Sequence, residues 1–453
     1  MMTKSHSHAM AEERVPRLLA RLAIPAVVAQ VISLLYNIVD RIYIGHIPEH
    51  GADALTGVGL FMPILMLINA FALLAGSGGA PRAAIAMGRK DERAGEQIMG
   101  NCFALIVVLG VVLTALFYLL APRLLVLFGA SEATLPYALD YARIYILGTI
   151  FVLICLGMNP FITTQGFAKI SMLTTVIGAV INIILDPVFI FLLGMGVKGA
   201  AVATVLSQTV SAAWILRFLT GGKSILRLRA ANCRLQRKVI LPCLALGVST
   251  FVMMSTESLL SVSFTSSLSR YGGDIAVGAM TILNSVCQLV VMPLQGICQG
   301  GQPIISYNYG AGNGGRVKEA FRCQLIACAM FGTLCWALVM LFPRMFTGLF
   351  TNNETLVSYA AWALRIYMAG IFAFSFQICC QQSFMALGQA KISLLLACLR
   401  KIVLLIPLIF LLPQLLTNQV FAVFLAEPVS DILAATVTTT AFFVTFSKIL
   451  KKE

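Results

Sequence analysis

Stretches of about twenty apolar residues recur along the whole chain, and that is the length a helix needs to cross a bilayer. Backbone placed in lipid must satisfy its own hydrogen bonds, so such a chain folds as a helical bundle or a closed barrel. Barrel strands would show as short alternating segments, and these runs do not alternate. Composition agrees: 59% of the 453 residues are hydrophobic and 11% are charged, whereas a soluble domain carries about 25% charged residues. Spans are predicted at 17–44, 53–76, 94–121, 134–165, 170–193, 199–220, 238–268, 274–300, 316–342, 355–387, 391–414 and 419–447. The longest runs exceed what a perpendicular helix needs, so those helices are expected to tilt or project. The expected fold is an all-α integral membrane protein of twelve transmembrane helices.

The first fifteen residues, MMTKSHSHAMAEERV, are polar and lack the apolar core of a signal peptide, so the first span is expected to be retained. The 12 cysteines fit no metal spacing and sit mostly singly in apolar runs, where free Cys packs as a small apolar residue. All 4 histidines fall in the first fifty residues, and no nucleophile–base pair or phosphate loop appears in a connection. These features argue against a membrane-embedded enzyme, and no cofactor is implied.

The net charge of +14 is a topology signal. Lys and Arg concentrate in the N-terminal tail (Lys4, Arg14, Arg17, Arg21), in the even-numbered connections (Arg82, Arg89, Lys90 and Arg93; Lys169; Arg217–Lys238; Arg316, Lys318 and Arg322; Lys391) and at the C-terminus (Lys448, Lys451, Lys452). Positive residues stay in the cytoplasm, so both termini are expected there, with the protein in the cytoplasmic (inner) membrane. The richest stretch, Leu216–Lys238, contains no acid and reads as a basic linker between two halves, with anionic lipid headgroups as an alternative partner. A soluble basic face is lacking, which argues against nucleic acid.

The halves repeat. YALDYARIYILG at Tyr137–Gly148 returns as YAAWALRIYMAG at Tyr359–Gly370, 222 residues later. The same offset carries Gly166, Lys169, Ile170 and Ser171 onto Gly388, Lys391, Ile392 and Ser393, and GSGGAP at Gly76–Pro81 onto CQGGQP at Cys298–Pro303. Six spans per repeat return the chain to the same side, so the repeats are parallel and related by an axis along the membrane normal. The expected organisation is a tail at 1–16, a first lobe at 17–220, a linker at 221–237, a second lobe at 238–447 and a tail at 448–453. Two such pseudo-symmetric six-helix lobes enclose a central cavity, and rocking them exposes it alternately to either side.

Polar residues inside the spans are the functional candidates, because ionisable groups in hydrocarbon are costly. Asp40 lies near the end of the apolar run Ile24–Ile47, with Asn37 on the same face. Its bland alternative is a helix-end acid paired with Arg41. The fifteenth residue after Pro25 is Asp40, and the fifteenth after Pro242 is Glu257, so the lobes carry acids at corresponding places. Asn182 and Asp186 stack one turn apart, and Pro187 bends or locally opens the backbone beside them, the alternative being an Asp-Pro turn at a helix end. Thr204 is a further candidate, against a hydroxyl that merely bonds the carbonyl one turn back. The second lobe has Leu404 and Leu408 where the first has Asn182 and Asp186, which favours a dedicated ion site in the first lobe. Hard oxygen ligands suit Na⁺ at Asp40, Asn182 and Asp186, and a carboxylate equally takes H⁺; composition does not separate the two. Arg400 and Lys401, midway along the eleventh span, either pair with Glu257, Glu427 or Asp431 or snorkel to the interface. Met62, Met66, Met253, Met254, Gln288 and Asn37 are candidate cavity residues.

In these residues, and in GADALTGVGL, GSGGAPRAAIAMGRKD, QGGQPIISYNYGAGN, INIILDP and GAAVATVLS, the chain resembles the MATE (multidrug and toxic compound extrusion) family over essentially its whole length. The likeness is strongest to the bacterial DinF- and MepA-type branch. The resemblance implies a monomeric secondary antiporter that exports bulky amphipathic, often cationic compounds against H⁺ or Na⁺, a role linked to antibiotic resistance. It places the cation site on Asp40, Asn182, Asp186 and Thr204, with Tyr141 as the fourth-helix tyrosine and Tyr145 as its alternative. It makes Pro25 the site of a first-helix bend and Glu257 a second-lobe acid used in one branch. The family's tenth-helix acid is absent, since Phe372–Leu387 holds no carboxylate. A lipid-linked saccharide flippase of the same superfamily is the alternative, with Arg400 and Lys401 as its only hint.

Overall fold

The structure is a computed structural model and describes residues 10–48, 51–351 and 353–450. Lys4, Lys451 and Lys452 therefore lie outside the described residues. Nine helices among the described residues are long and apolar enough to cross a membrane, and two further spans are bent pairs. One of the nine, Arg237–Gly310, is 74 residues long and breaks at Gly273, whose φ of 65° and ψ of −162° turn the chain. Counting its legs separately gives twelve spans.

In chain order these are α1 (Val15–Gly45), α2 (Gly51–Gly88), α3 (Glu92–Leu127), the pair α4 (Leu135–Leu147) and α5 (Thr149–Thr164), α6 (Ala168–Pro187) and α7 (Val197–Thr220). The second half follows with α8 (237–272) and α9 (274–310), the legs on either side of Gly273, and then α10 (Gly314–Leu341) and a short α11 (Pro343–Gly348). The pair α12 (Glu354–Tyr367) and α13 (Ile371–Ala386) comes next, then α14 (Ala390–Cys398), α15 (Ile406–Leu415) and α16 (Gln419–Leu450). Wider π-turns follow α6 at Val188–Leu192 and join α14 to α15 at Leu399–Leu405.

The overlong runs at 134–165 and 355–387 break where tilting or projection was expected. Their bends are 56° and 50° and fall at Gly148 and Gly370, the same place in each repeat. The turns that follow also correspond: Gly166 (φ 87°) and Gly388 (φ 69°) occupy the left-handed region, where a Cβ is disfavoured. Gly388→Ala should therefore lower stability by roughly 1–2 kcal/mol, read as a fall in the melting temperature of the purified protein.

Two apolar cores mark the lobes, but packing crosses the sequence boundaries. Val15, Leu18, Leu22 and Ala23, all before Pro25, join the core of the second half, while Ile44 at the far end of α1 joins that of the first. Reciprocally, Ile240 and Cys243 at the start of α8 belong to the first-half core. Arg316 fixes the start of α1 by donating to the carbonyls of Met10 (3.2 Å) and Glu13 (2.9 Å). α1 continues as a helix through Pro25, although proline cannot donate to the carbonyl one turn back.

The lobes also meet through glycine. A Cβ on Gly88 would strike the Tyr307 carbonyl, and one on Gly310 would strike the Ile85 carbonyl. Both pairs are exchanged by the 222-residue offset, so this is a pseudo-two-fold contact of bare backbones. It lies at the end of the bundle that holds the connections rich in Lys and Arg.

The basic linker is docked against the first lobe. Gln165 Oε1 accepts from Leu226 N (2.8 Å), Asn101 Oδ1 from Gln236 N (2.7 Å) and Glu96 Oε1 from Arg227 N (3.1 Å). Arg229 adds an ion pair to Glu96 at 3.4 Å.

Candidate functional site

Four helices of the first lobe bring polar groups together. α6 packs on both α1 and α7, and α7 packs on α4. Asp186, with no exposed surface, and Asn182, 1% exposed, stack on α6 as their spacing requires. The Asn182 amide donates to Asp186 Oδ1 (3.2 Å) and to Thr204 Oγ1 on α7 (3.4 Å). Asp40 of α1 faces Asp186 within hydrogen-bonding reach. Tyr141 of α4 lies within electrostatic range of Asp40 and close to Thr204. Its ring stacks on Tyr145 at 5.8 Å, and Phe61 packs edge-on against both.

Thr204 serves two roles, since its hydroxyl also donates to the Ala200 carbonyl one turn back (3.0 Å). Arg41 turns its guanidinium towards Met62 Sδ (3.9 Å). Asn37 donates to the Ser33 carbonyl (2.6 Å) on an exposed face, so it stands apart from Asp40. Tyr36, one turn before Asp40, lies within electrostatic range of both Asp40 and Asp186. Its i, i+4 spacing from Asp40 was the available sequence signal.

Three oxygens in this cluster are buried and without a hydrogen-bond partner: Asp40 Oδ1, Asn182 Oδ1 and Asp186 Oδ2. Buried acceptors are almost always satisfied, and two facing carboxylates repel when both are charged. A cation answers both conditions. The donor set of two carboxylates, an amide oxygen and a hydroxyl is hard and oxygen-only, which fits Na⁺, and a proton shared between the carboxyl groups relieves the repulsion equally.

The second lobe holds a different arrangement. Arg400 (9% exposed) and Lys401 (3%), consecutive in the π-turn after α14, are both buried. Arg400 donates through Nε to Asp431 Oδ1 and through Nη2 to Glu427 Oε1, each at 2.8 Å, and lies 4.4 Å above the Phe374 ring. Lys401 pairs with Glu257 and donates to the Met253 carbonyl (2.7 Å). The pairing alternative thus holds for both cations, and neither snorkels. Met253 Sδ also accepts from Gln381 (3.2 Å), which in turn accepts from Gln377 (2.8 Å). Met254 is part-buried on α8, whereas Met66 and Gln288 are exposed. Arg400→Leu would leave two buried carboxylates unpaired and should cost about 3–5 kcal/mol, seen as a large drop in thermal stability in detergent.

A family model described as MatE matches the chain twice, over residues 25–188 and 249–411, one match in each repeat. Multidrug export protein MepA of Staphylococcus haemolyticus (strain JCSC1435) is 24% identical over 425 residues, 93% of either chain. MepA of Staphylococcus aureus (strain NCTC 8325 / PS 47) is 22% identical over 414 residues, 91% of either chain. Among solved structures, the outward-facing conformation of a multidrug resistance MATE family transporter of the MOP superfamily shares the fold with a TM-score of 0.91 at 24% identity, over 98% of both chains. A MOP superfamily transporter from Pyrococcus furiosus, described as having a binding pocket of reversed polarity, gives 0.91 at 23% identity, over 97% of this chain and 98% of that one. With the family model covering most of the sequence, once per repeat, and the fold shared end to end, this chain belongs to the MatE family.

Proposed function

We propose that the protein is a secondary active exporter that moves amphipathic, often cationic organic compounds outward in exchange for H⁺ or Na⁺. The observation that carries this reading is the convergence of three partnerless buried oxygens from Asp40, Asn182 and Asp186 in one lobe of a two-lobe membrane fold. Binding a cation there changes the charge of the α1–α6 contact, and a ligand that prefers one arrangement of the lobes shifts their equilibrium. The driving force is an ion gradient, and no chemical step on the substrate is involved. Met62, Met66, Met253 and Met254 are assigned to the cavity between the lobes, because methionine side chains suit bulky ligands of varied shape.

The basic end of the bundle is assigned to the cytoplasm, with both termini there, in the cytoplasmic membrane of a bacterium; the protein acts as a monomer. The lobe division follows the repeat, with the linker at 221–237 as a docked strap. A saccharide flippase reading would need free cations for a pyrophosphate, and Arg400 and Lys401 are already held by Glu427, Asp431 and Glu257. The test is efflux of an ethidium-like dye from energised vesicles under an imposed pH or Na⁺ gradient. Gradient-dependent dye movement is expected. Export of a labelled lipid-linked sugar without dye movement would sink this reading.

A further inference from the structure

The two lobes treat their corresponding acids differently. Asp40 keeps an oxygen with no partner, whereas Glu257, at the matching place after the helix proline, is paired with Lys401. At the positions of Arg400 and Lys401 the first repeat has Gly178 and Ala179, so that lobe supplies no cation of its own there. The second lobe supplies two, against the three carboxylates Glu257, Glu427 and Asp431. Arg400 is hydrogen-bonded to Glu427 and Asp431, which leaves Lys401 as the cation paired directly with Glu257 among the described residues.

The pair is lopsided in exposure. The Lys401 side chain is 4% exposed and that of Glu257 is 51% exposed. A half-exposed carboxylate midway along a span must face water in the cleft, because lipid would not tolerate it. An incoming positive group therefore reaches Glu257 first. Lys401 has a second acceptor in the Met253 carbonyl (2.7 Å), and Glu427 lies within its electrostatic range. Losing Glu257 does not strand the ammonium.

We propose that Lys401 is a tethered counter-cation that sets substrate preference: the positive group of an organic cation binds Glu257 by displacing the Lys401 ammonium, while neutral compounds bind without disturbing the pair. This rests on the export reading and deepens it. It also confines the exchanged inorganic ion to the first lobe, since Lys401 holds the equivalent place in the second.

The test compares wild type, Lys401→Met and the Lys401→Met/Glu257→Gln double variant in binding tetraphenylphosphonium and the neutral triphenylphosphine oxide. Removing the competing ammonium should tighten tetraphenylphosphonium binding about tenfold in Lys401→Met, and removing both charges should weaken it about tenfold relative to wild type. Binding of the neutral probe should be the same in all three. Equal tetraphenylphosphonium affinity in Lys401→Met and wild type overturns the proposal, as does a parallel shift for the neutral probe. If Lys401→Met does not fold, the double variant, which leaves no unpaired buried charge, decides alone: affinity equal to wild type overturns the proposal. A wild type that exports dye while the variants behave alike removes this inference only. A wild type that exports nothing removes the reading beneath it.

Discussion

Asp40→Asn is expected to abolish dye efflux driven by an imposed pH or Na⁺ gradient without lowering the melting temperature of the purified protein. The substitution keeps the shape of the side chain and removes its charge. An interaction with a charged group is worth roughly 1.5–3 kcal/mol, and each 1.4 kcal/mol or so is a factor of ten in binding. Ion affinity should therefore fall about 10- to 100-fold. Stability should hold or rise, because Asp40 faces the fully buried Asp186 and its loss removes a repulsion. Retained stability with lost coupling separates an ion-site role from a folding role. Normal efflux by Asp40→Asn would show that the ion binds elsewhere.

Gly88→Ala and Gly310→Ala should each disable transport by prying the lobes apart at their basic end. Within a helix, Gly→Ala ordinarily adds about 0.5–1 kcal/mol of stability. At these two positions the new methyl meets backbone, the Tyr307 and Ile85 carbonyls respectively, which cannot rotate away. Overpacking of this kind typically costs about 1–3 kcal/mol, so the sign of the substitution reverses. That cost falls only on the state in which the lobes touch here, and about 1.4 kcal/mol already shifts a two-state equilibrium tenfold. The measurement is vesicle efflux together with cysteine accessibility at the basic end, which should increase. Gly59→Ala is the control, since a Cβ there has nothing within 4 Å and should be harmless. Equal behaviour of all three variants would show that the glycine contact is not a gate.

Much of this was legible in the sequence alone. The span count follows from hydrocarbon thickness, a one-dimensional constraint. The Asn182–Asp186 stack follows from helical periodicity, and the glycine turns at Gly166 and Gly388 were visible as repeat positions. The bends at Gly148 and Gly370 were harder to see, because the same apolar run serves a tilted helix and a broken one. Asn37 shows the limit of spacing arguments: it shares a helical stripe with Asp40, yet its amide turns back to Ser33.

Periodicity, hydropathy and the 222-residue offset were enough to define a duplicated twelve-helix membrane protein with an unusual set of acids in its first lobe. All three are local or repeating properties of the chain. Which acids meet, and whether they meet a cation, was settled only in three dimensions. Asp40 finds Asp186 across more than a hundred residues, and Lys401 finds Glu257 at a separation of 144. Nothing local encodes either pairing; helix packing decides it. The π-turn at Leu399–Leu405 carries two adjacent cations that both lie buried against acids of other helices. The start of α1 crosses to the opposite core for the same reason, since its apolar face is indifferent to which lobe covers it until the lobes are assembled.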